Sequence, residues 1–277
     1  STPAAIEIAS LMSIFGTKVY LADSATRIMP DQDEDVSEMI ASQLTKQRGM
    51  TIMPNTKIVA VQKEGLYRRI TFVRAGVERT IKVDALMIAD RRAPATDIGL
   101  ENAGVAYNSQ GIKVNASLQT SSKHIFAAGS CVHPGAATHE ILMHSRVAAH
   151  NLLHTKFSVV DKHMPLQVIR SVPEIARVGL SEDDCIRRDL KINRAVVPIT
   201  IAPRSNITDD RIGMVKLISD KKGTLLGAAI VAPNASEMIH ELAIAIRHGL
   251  SAEDLFSTPH EFTSWSETIR IAAGKLL

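Results

Sequence analysis

A histidine and a glutamate, His260 and Glu267, stand seven residues apart near the end of this 277-residue chain, with Phe262 and the only tryptophan, Trp265, between them. An imidazole titrates near neutrality and can take up and return a proton, while a carboxylate can hold its ring in place. Far upstream, Asp23 ends the strand-like run Val19-Tyr-Leu-Ala22. An acid there suits the second half of a dinucleotide-binding βαβ unit, where it would hydrogen-bond a ribose, and equally suits a solvated strand end. His150 and His154 sit at i and i+4 on a helix-like stretch, but no acid or cysteine joins them at motif spacing, so they read as solvated side chains and no metal centre is expected. Cys131 and Cys185 are too far apart for CxxC or CxxxxC, which leaves neither a disulfide framework nor a zinc knuckle. Both read as buried, unreactive thiols.

These groups must be held by recognisable elements. Ser1 to Ser10 suits a helix with Pro3 in its first turn. The acidic run Asp31-Gln-Asp-Glu-Asp35 opens an amphipathic helix from Val36 to Arg48; acids at a helix start favour its dipole, and the glycine-turn spacing of a calcium loop is missing. Thr56 to Gln62, Arg69 to Arg74 and Val77 to Val83 read as three strands with turns at Gly65 and Gly76. Val83 to Ala89 and Ile125 to Val132 read as buried strands, and Thr138 to His154 as a helix. Near the end, the small and β-branched run Gly227 to Ala232 meets a Pro233-Asn234 break, then Met238, Ile239, Leu242, Ala245 and Ile246 at helical spacing. Ser251-Ala-Glu-Asp254 opens a further helix with a serine cap, and Ser266 to Leu276 reads as the last one.

Composition excludes several classes. At 45% hydrophobic and 22% charged, the chain can bury a substantial core and divide into two or three units. A net charge of +3 is spread without a basic block, which gives no reason to expect nucleic acid. No apolar run approaches the roughly 20 residues needed to span a bilayer, and no secretory signal pattern opens the chain. Membrane insertion is not expected.

Several short phrases in order carry a resemblance: Pro173-Glu-Ile-Ala-Arg-Val-Gly179, Arg204 with Gly213-Met-Val-Lys-Leu217, Leu226-Gly-Ala-Ala-Ile-Val231 and Ala235-Ser-Glu237. Together they resemble the carboxy-terminal portion of the pyridine nucleotide-disulfide oxidoreductases, in the dihydrolipoamide dehydrogenase and mercuric reductase branch. The resemblance implies FAD and NAD as cofactors, a two-fold dimer, and a cytoplasmic or mitochondrial-matrix location inside the cell. It implies an α/β fold with a truncated Rossmann-like NAD-binding unit over 1–97, a flavin-domain remnant over 98–164 and an interface domain over 165–277 with an antiparallel sheet and helices on one side.

Residue by residue, the resemblance puts Thr2 and Ala5 at two glycine positions of the nucleotide turn, Glu7 on the nicotinamide side and Asp23 at the ribose. Gly129 and Ser130 fall in the flavin phrase, with serine where an aspartate normally holds the ribityl chain, and His139 matches a common histidine. Ile141 and Ser145 stand where small residues normally face the flavin ring, and Arg91 stands at a usual glycine. Glu267 matches the glutamate of the active-site pair, Phe262 its catalytic histidine and His260 an earlier loop histidine. The redox-active CxxxxC has no counterpart. Phenylalanine cannot move a proton, so Phe262 and Trp265 are expected as packing anchors. Two functions follow: a portion of a flavoprotein oxidoreductase that does not itself support disulfide reduction, or a degenerate relative serving as a dimerising scaffold in a larger assembly. Either forms a homodimer or a heterodimer with an intact relative.

Overall fold

The computed structural model describes residues 1–90, 93–160 and 165–277. It forms two compact units, one made of residues 1–89 and 164–277 and the other of residues 90–163.

The first unit opens with α1 (Pro3–Ile14), one turn longer than its sequence suggests. Pro3 presets the first helical φ, and the Thr2 hydroxyl caps the end by accepting from the Ala5 amide at 3.2 Å. β1 (Tyr20–Ala22) leads through α2 (Glu34–Arg48) to β2 (Thr51–Met53), and the two strands pair in parallel, which is a βαβ unit. Gly49 ends α2 in the left-handed region at φ 62°. β3 (Thr56–Glu64), β4 (Tyr67–Arg74) and β5 (Val77–Val83) then form the expected antiparallel meander. Ala75 and Gly76, both at positive φ, make the tight turn between β4 and β5.

One expected strand is absent. Residues 84–89 join no strand ladder among the described residues, and Leu86, Met87 and Ile88 are 42%, 57% and 80% exposed. Their apolar run carries the composition of a buried strand, but burial requires strands on the flanks, and the parallel sheet consists of β1 and β2 alone.

In the second unit, β6 (Tyr107–Asn108) and β7 (Gly111–Ile112) form a small hairpin, and α3 (Thr138–Leu153) supplies the long helix. Asn151 ties this unit together, donating to the Ser117 and Ser158 carbonyls at 2.8 and 2.9 Å and accepting from the Ser158 amide at 2.8 Å. The strand expected over Ile125–Val132 is also absent. Phe126 makes one bridge to Gln119, and Gly129–Cys131 winds into a 3-10 turn, because no ladder flanks the segment.

The chain returns to the first unit with β8 (Leu166–Ile169), β9 (Glu174–Gly179), α4 (Glu182–Arg187), β10 (Ile192–Pro198), α5 (Pro203–Thr208), β11 (Met214–Asp220) and β12 (Leu225–Ala232). α6 (Ala235–Arg247), α7 (Ala252–Ser257) and α8 (Glu267–Gly274) complete it. The five strands form an antiparallel sheet in the order β10-β11-β12-β9-β8. A Cβ on Gly227 would overlap the Leu180 carbonyl, so only glycine allows the close approach at the β9–β12 edge.

One sheet face, with Val178, Val215, Leu217 and Ile230, packs under Ile239, Leu242, Trp265 and Ile269 from the carboxy-terminal helices and tail. Those helices lie on one side, as expected. The opposite face, with Ile175, Ala229 and Val231, packs against Ile6 of α1 and Val36 and Ile40 of α2. Both faces of β12 are therefore buried, which explains its uninterrupted run of small and β-branched residues.

Candidate functional site

The carboxy-terminal tail runs from the end of α7 into α8 and carries the two residues with acid–base potential. Glu267 opens α8, where a carboxylate is favoured by the helix dipole, and its side chain is 8% exposed. Arg270 donates to it twice, from Nε at 2.9 Å and Nη2 at 2.6 Å. These bonds hold the Glu267 carboxyl below its ordinary range against the opposing effect of burial, with the charges of Arg270 and His260 adding to the pull. Arg270 also lies over the Phe256 ring, 5.4 Å from its centroid.

His260 is held elsewhere. Its Nδ1–H donates to the Thr258 carbonyl at 2.9 Å, and Nε2 faces Glu241 Oε1 of α6 at 3.5 Å. The two candidate residues are thus close enough to influence one another electrostatically, but each has its own partner. Trp265 is a packing anchor at 8% exposure. Phe262, expected to be another, is 68% exposed, because the tail turns its ring away from the core that Trp265 enters. Glu241 and Arg270 were not foreseen. Arg270 had a readable signal in its i+3 spacing from Glu267, whereas nothing local links Glu241 to His260.

At the amino-terminal candidate site, Ala5 is buried beneath the Thr2 cap, and Thr2 Oγ1 also donates to the Ala89 carbonyl at 2.8 Å. Glu7 accepts from the Arg170 amide at 2.8 Å and so ties α1 to the loop before β9. Asp23 accepts from the Ala25 amide at 2.9 Å. The structure brings Thr2, Ala5 and Asp23 to one end of the βαβ unit. A dinucleotide pyrophosphate needs open amides and glycine-sized space at that helix end. With the Thr2 side chain filling it, these residues do not fit the group.

In the second unit, Gly129 has φ 81°, and a Cβ there would lie 3.3 Å from Ile141 Cγ2. Its amide donates to Nδ1 of the buried His144 at 3.3 Å, while Ser130 is exposed. At the start of α3 the Glu140 carboxylate accepts from the Ala137 amide at 2.9 Å. Ile141 packs beside Gly129, and Glu140 takes the Ala137 amide at this end of α3. His150 and His154 stack at 4.2 Å, and each gives one ring nitrogen to a backbone carbonyl. No group of three or more metal-ligating side chains occurs among the described residues. Arg91, which stands at a usual glycine of the resembling family, lies outside them.

The family model described as pyridine nucleotide-disulphide oxidoreductase matches residues 2–151, and the model of its dimerisation domain matches residues 166–273. The chain belongs to this family. Dihydrolipoyl dehydrogenase of Buchnera aphidicola subsp. Schizaphis graminum is 30% identical over 272 residues, covering 97% of this chain and 57% of that protein. Mercuric reductase of Staphylococcus aureus is 28% identical, covering 97% of this chain and 50% of that protein. Among solved structures, the Cu(II) complex of the HOCl-induced flavoprotein disulfide reductase RclA from Escherichia coli superposes with a TM-score of 0.90 at 27% identity, covering 99% of this chain and 62% of that one. The chain therefore spans about half to three-fifths of the length of the curated relatives it matches. Its fold is the α/β fold of flavoprotein disulfide reductases, and its antiparallel five-stranded sheet belongs to the dimerisation domain. Among the described residues no helix is long and apolar enough to cross a membrane.

Proposed function

We propose that this chain is a portion of a flavoprotein oxidoreductase resembling dihydrolipoamide dehydrogenase, and that its residues do not themselves support disulfide reduction. In such a protein hydride passes from NAD(P)H through FAD to a disulfide or related acceptor. The observation that carries the reading is the tail: Glu267 is held by two hydrogen bonds from Arg270, and exposed Phe262 stands at the position matching the family's catalytic histidine. A general base must present a titrating group to the proton it removes, and neither side chain does so. On this reading the segments 1–97, 98–164 and 165–277 are the truncated NAD(P)-binding part, the flavin-domain remnant and the dimerisation domain. FAD and NAD belong to the whole protein, and the location is the cytoplasm or the mitochondrial matrix.

A second reading has a specific observation in its favour. Thr2 at the mouth of α1, and Glu140 and Ile141 at the mouth of α3, fill the places where the cofactors would approach. That suits a dimerising scaffold subunit, as a homodimer or paired with an intact relative, within a larger assembly. Intact mass and the visible absorption spectrum of the protein from its native source discriminate the two. A yellow protein well above 30.1 kDa supports the oxidoreductase portion, and a colourless protein of that mass supports the scaffold.

A further inference from the structure

The contact between His260 and Glu241 has a proton count that its geometry dictates. The Thr258 carbonyl can only accept, so the hydrogen in the 2.9 Å contact belongs to Nδ1 of His260. In the neutral ring Nε2 then carries a lone pair, which points at Glu241 Oε1 from 3.5 Å. An ionised carboxylate also offers only lone pairs, so a neutral imidazole and an ionised glutamate would repel one another here. The His260 side chain is 7% exposed, and Oε1 of Glu241, whose side chain as a whole is 34% exposed, is itself shut off from solvent. Water therefore has no access to the oxygen that faces Nε2.

We propose that His260 and Glu241 hold one proton between them, and that this proton fastens the 258–266 tail to α6. Its loss sets two lone pairs face to face and frees the tail. The charged groups around the pair are consistent with this. On α8, Glu267 feels the His260 charge, and Arg270 is committed to Glu267. On the tail, Glu261 accepts from the Thr263 hydroxyl at 2.8 Å, and Ser266 hydrogen-bonds Glu241. On α6, His240 is bound to the Glu237 carbonyl at 3.3 Å. None of these places a second cation on Glu241.

The sign of the pH dependence follows from the Glu241 carboxyl. Burial pushes the Glu241 carboxyl above its ordinary range, opposed by the His260 charge and by hydrogen bonds from His260 and Ser266. A carboxyl raised in the folded state binds its proton more tightly there, so its support for the closed tail is present at low pH and is lost as pH rises.

Trp265, the chain's only tryptophan and 8% exposed, is a built-in reporter of tail opening. Acrylamide quenching of its fluorescence in the full chain should rise about twofold from about pH 5 to about pH 8, as the tail opens locally. Glu241→Gln supplies an amide N–H that can donate to the neutral Nε2, so quenching in that variant should be flat across the same range. His260→Gln removes the imidazole that faces Glu241 and should also be flat, which keeps the test decisive if one variant folds poorly. A pH-independent signal in the unsubstituted protein, or the unsubstituted slope surviving in either folded variant, would overturn the proposal.

Discussion

The dimerisation sheet and the mouths of α1 and α3 belong to the same family inheritance but have been treated differently. In the sheet the packing is kept: Val178, Val197, Val215, Leu217 and Ile230 are buried, and glycine stands where β9 and β12 approach closely. At the two helix mouths, where on our proposed reading the cofactors would approach, stand Thr2, Glu140 and Ile141. A core loses about 2–5 kcal/mol when one large side chain is truncated, whereas filling a helix mouth gains a cap and costs the fold nothing. The contrast teaches that fold and cofactor chemistry are under separate physical constraints. A sequence can therefore keep one while rewriting the other.

The largest expected effect comes from breaking the sheet's attachment to the amino-terminal segment. Lys216 of β11, 1% exposed, lies 2.9 Å from Asp33, 2.8 Å from Asp35 and 2.5 Å from Glu182. Burial pulls its ammonium down, but the hydrogen bonds it donates to Asp35, Glu182 and Asp33 prevail and hold it above the usual lysine range. Lys216→Ala leaves three carboxylates facing one another, and urea unfolding should register a loss of about 3–5 kcal/mol. Next is Arg270→Ala, which strips a 92%-buried carboxylate side chain of its partner and should cost about 1–3 kcal/mol. Because the folded Glu267 carboxyl is lowered, its contribution is present above the unfolded carboxylate range and lost as pH falls. Acid titration of the variant should show a shallower loss than the unsubstituted chain.

Smaller effects sharpen the other side of the comparison. Thr2→Ala removes the cap of α1 and should cost about 1 kcal/mol in thermal or urea unfolding. Phe262→His changes a ring that is 68% exposed and should alter stability by less than about 0.5 kcal/mol, which would show that packing does not require phenylalanine there.

What the sequence made legible was whatever rests on neighbours in the chain. α6 begins and ends where its periodicity and flanking Asn234 indicate, and the meander strands fall between their turn glycines. The acidic run was readable as the start of α2, yet its main partner, Lys216, stands 181 residues beyond Asp35, and no local pattern announces that distance. Residues 84–89 and 125–132 misled for a related reason: apolar content reports a wish for burial, while strand formation depends on which other strands stand beside it. At the tail, Glu267 could be picked out by the order of the phrases around it. Its capture by Arg270 is local to α8, readable in their i+3 spacing, whereas the turning of His260 toward Glu241 depends on how α6, α7 and α8 meet.

The most direct test is NADH-dependent reduction of lipoamide by the protein isolated from its native source, with sedimentation of the same sample. The account predicts a dimer whose turnover is unchanged by Glu267→Gln, because that carboxylate is spent on Arg270 and no imidazole stands at position 262. Turnover that collapses with Glu267→Gln while the dimer stays intact would contradict it, and would return acid–base chemistry to the tail.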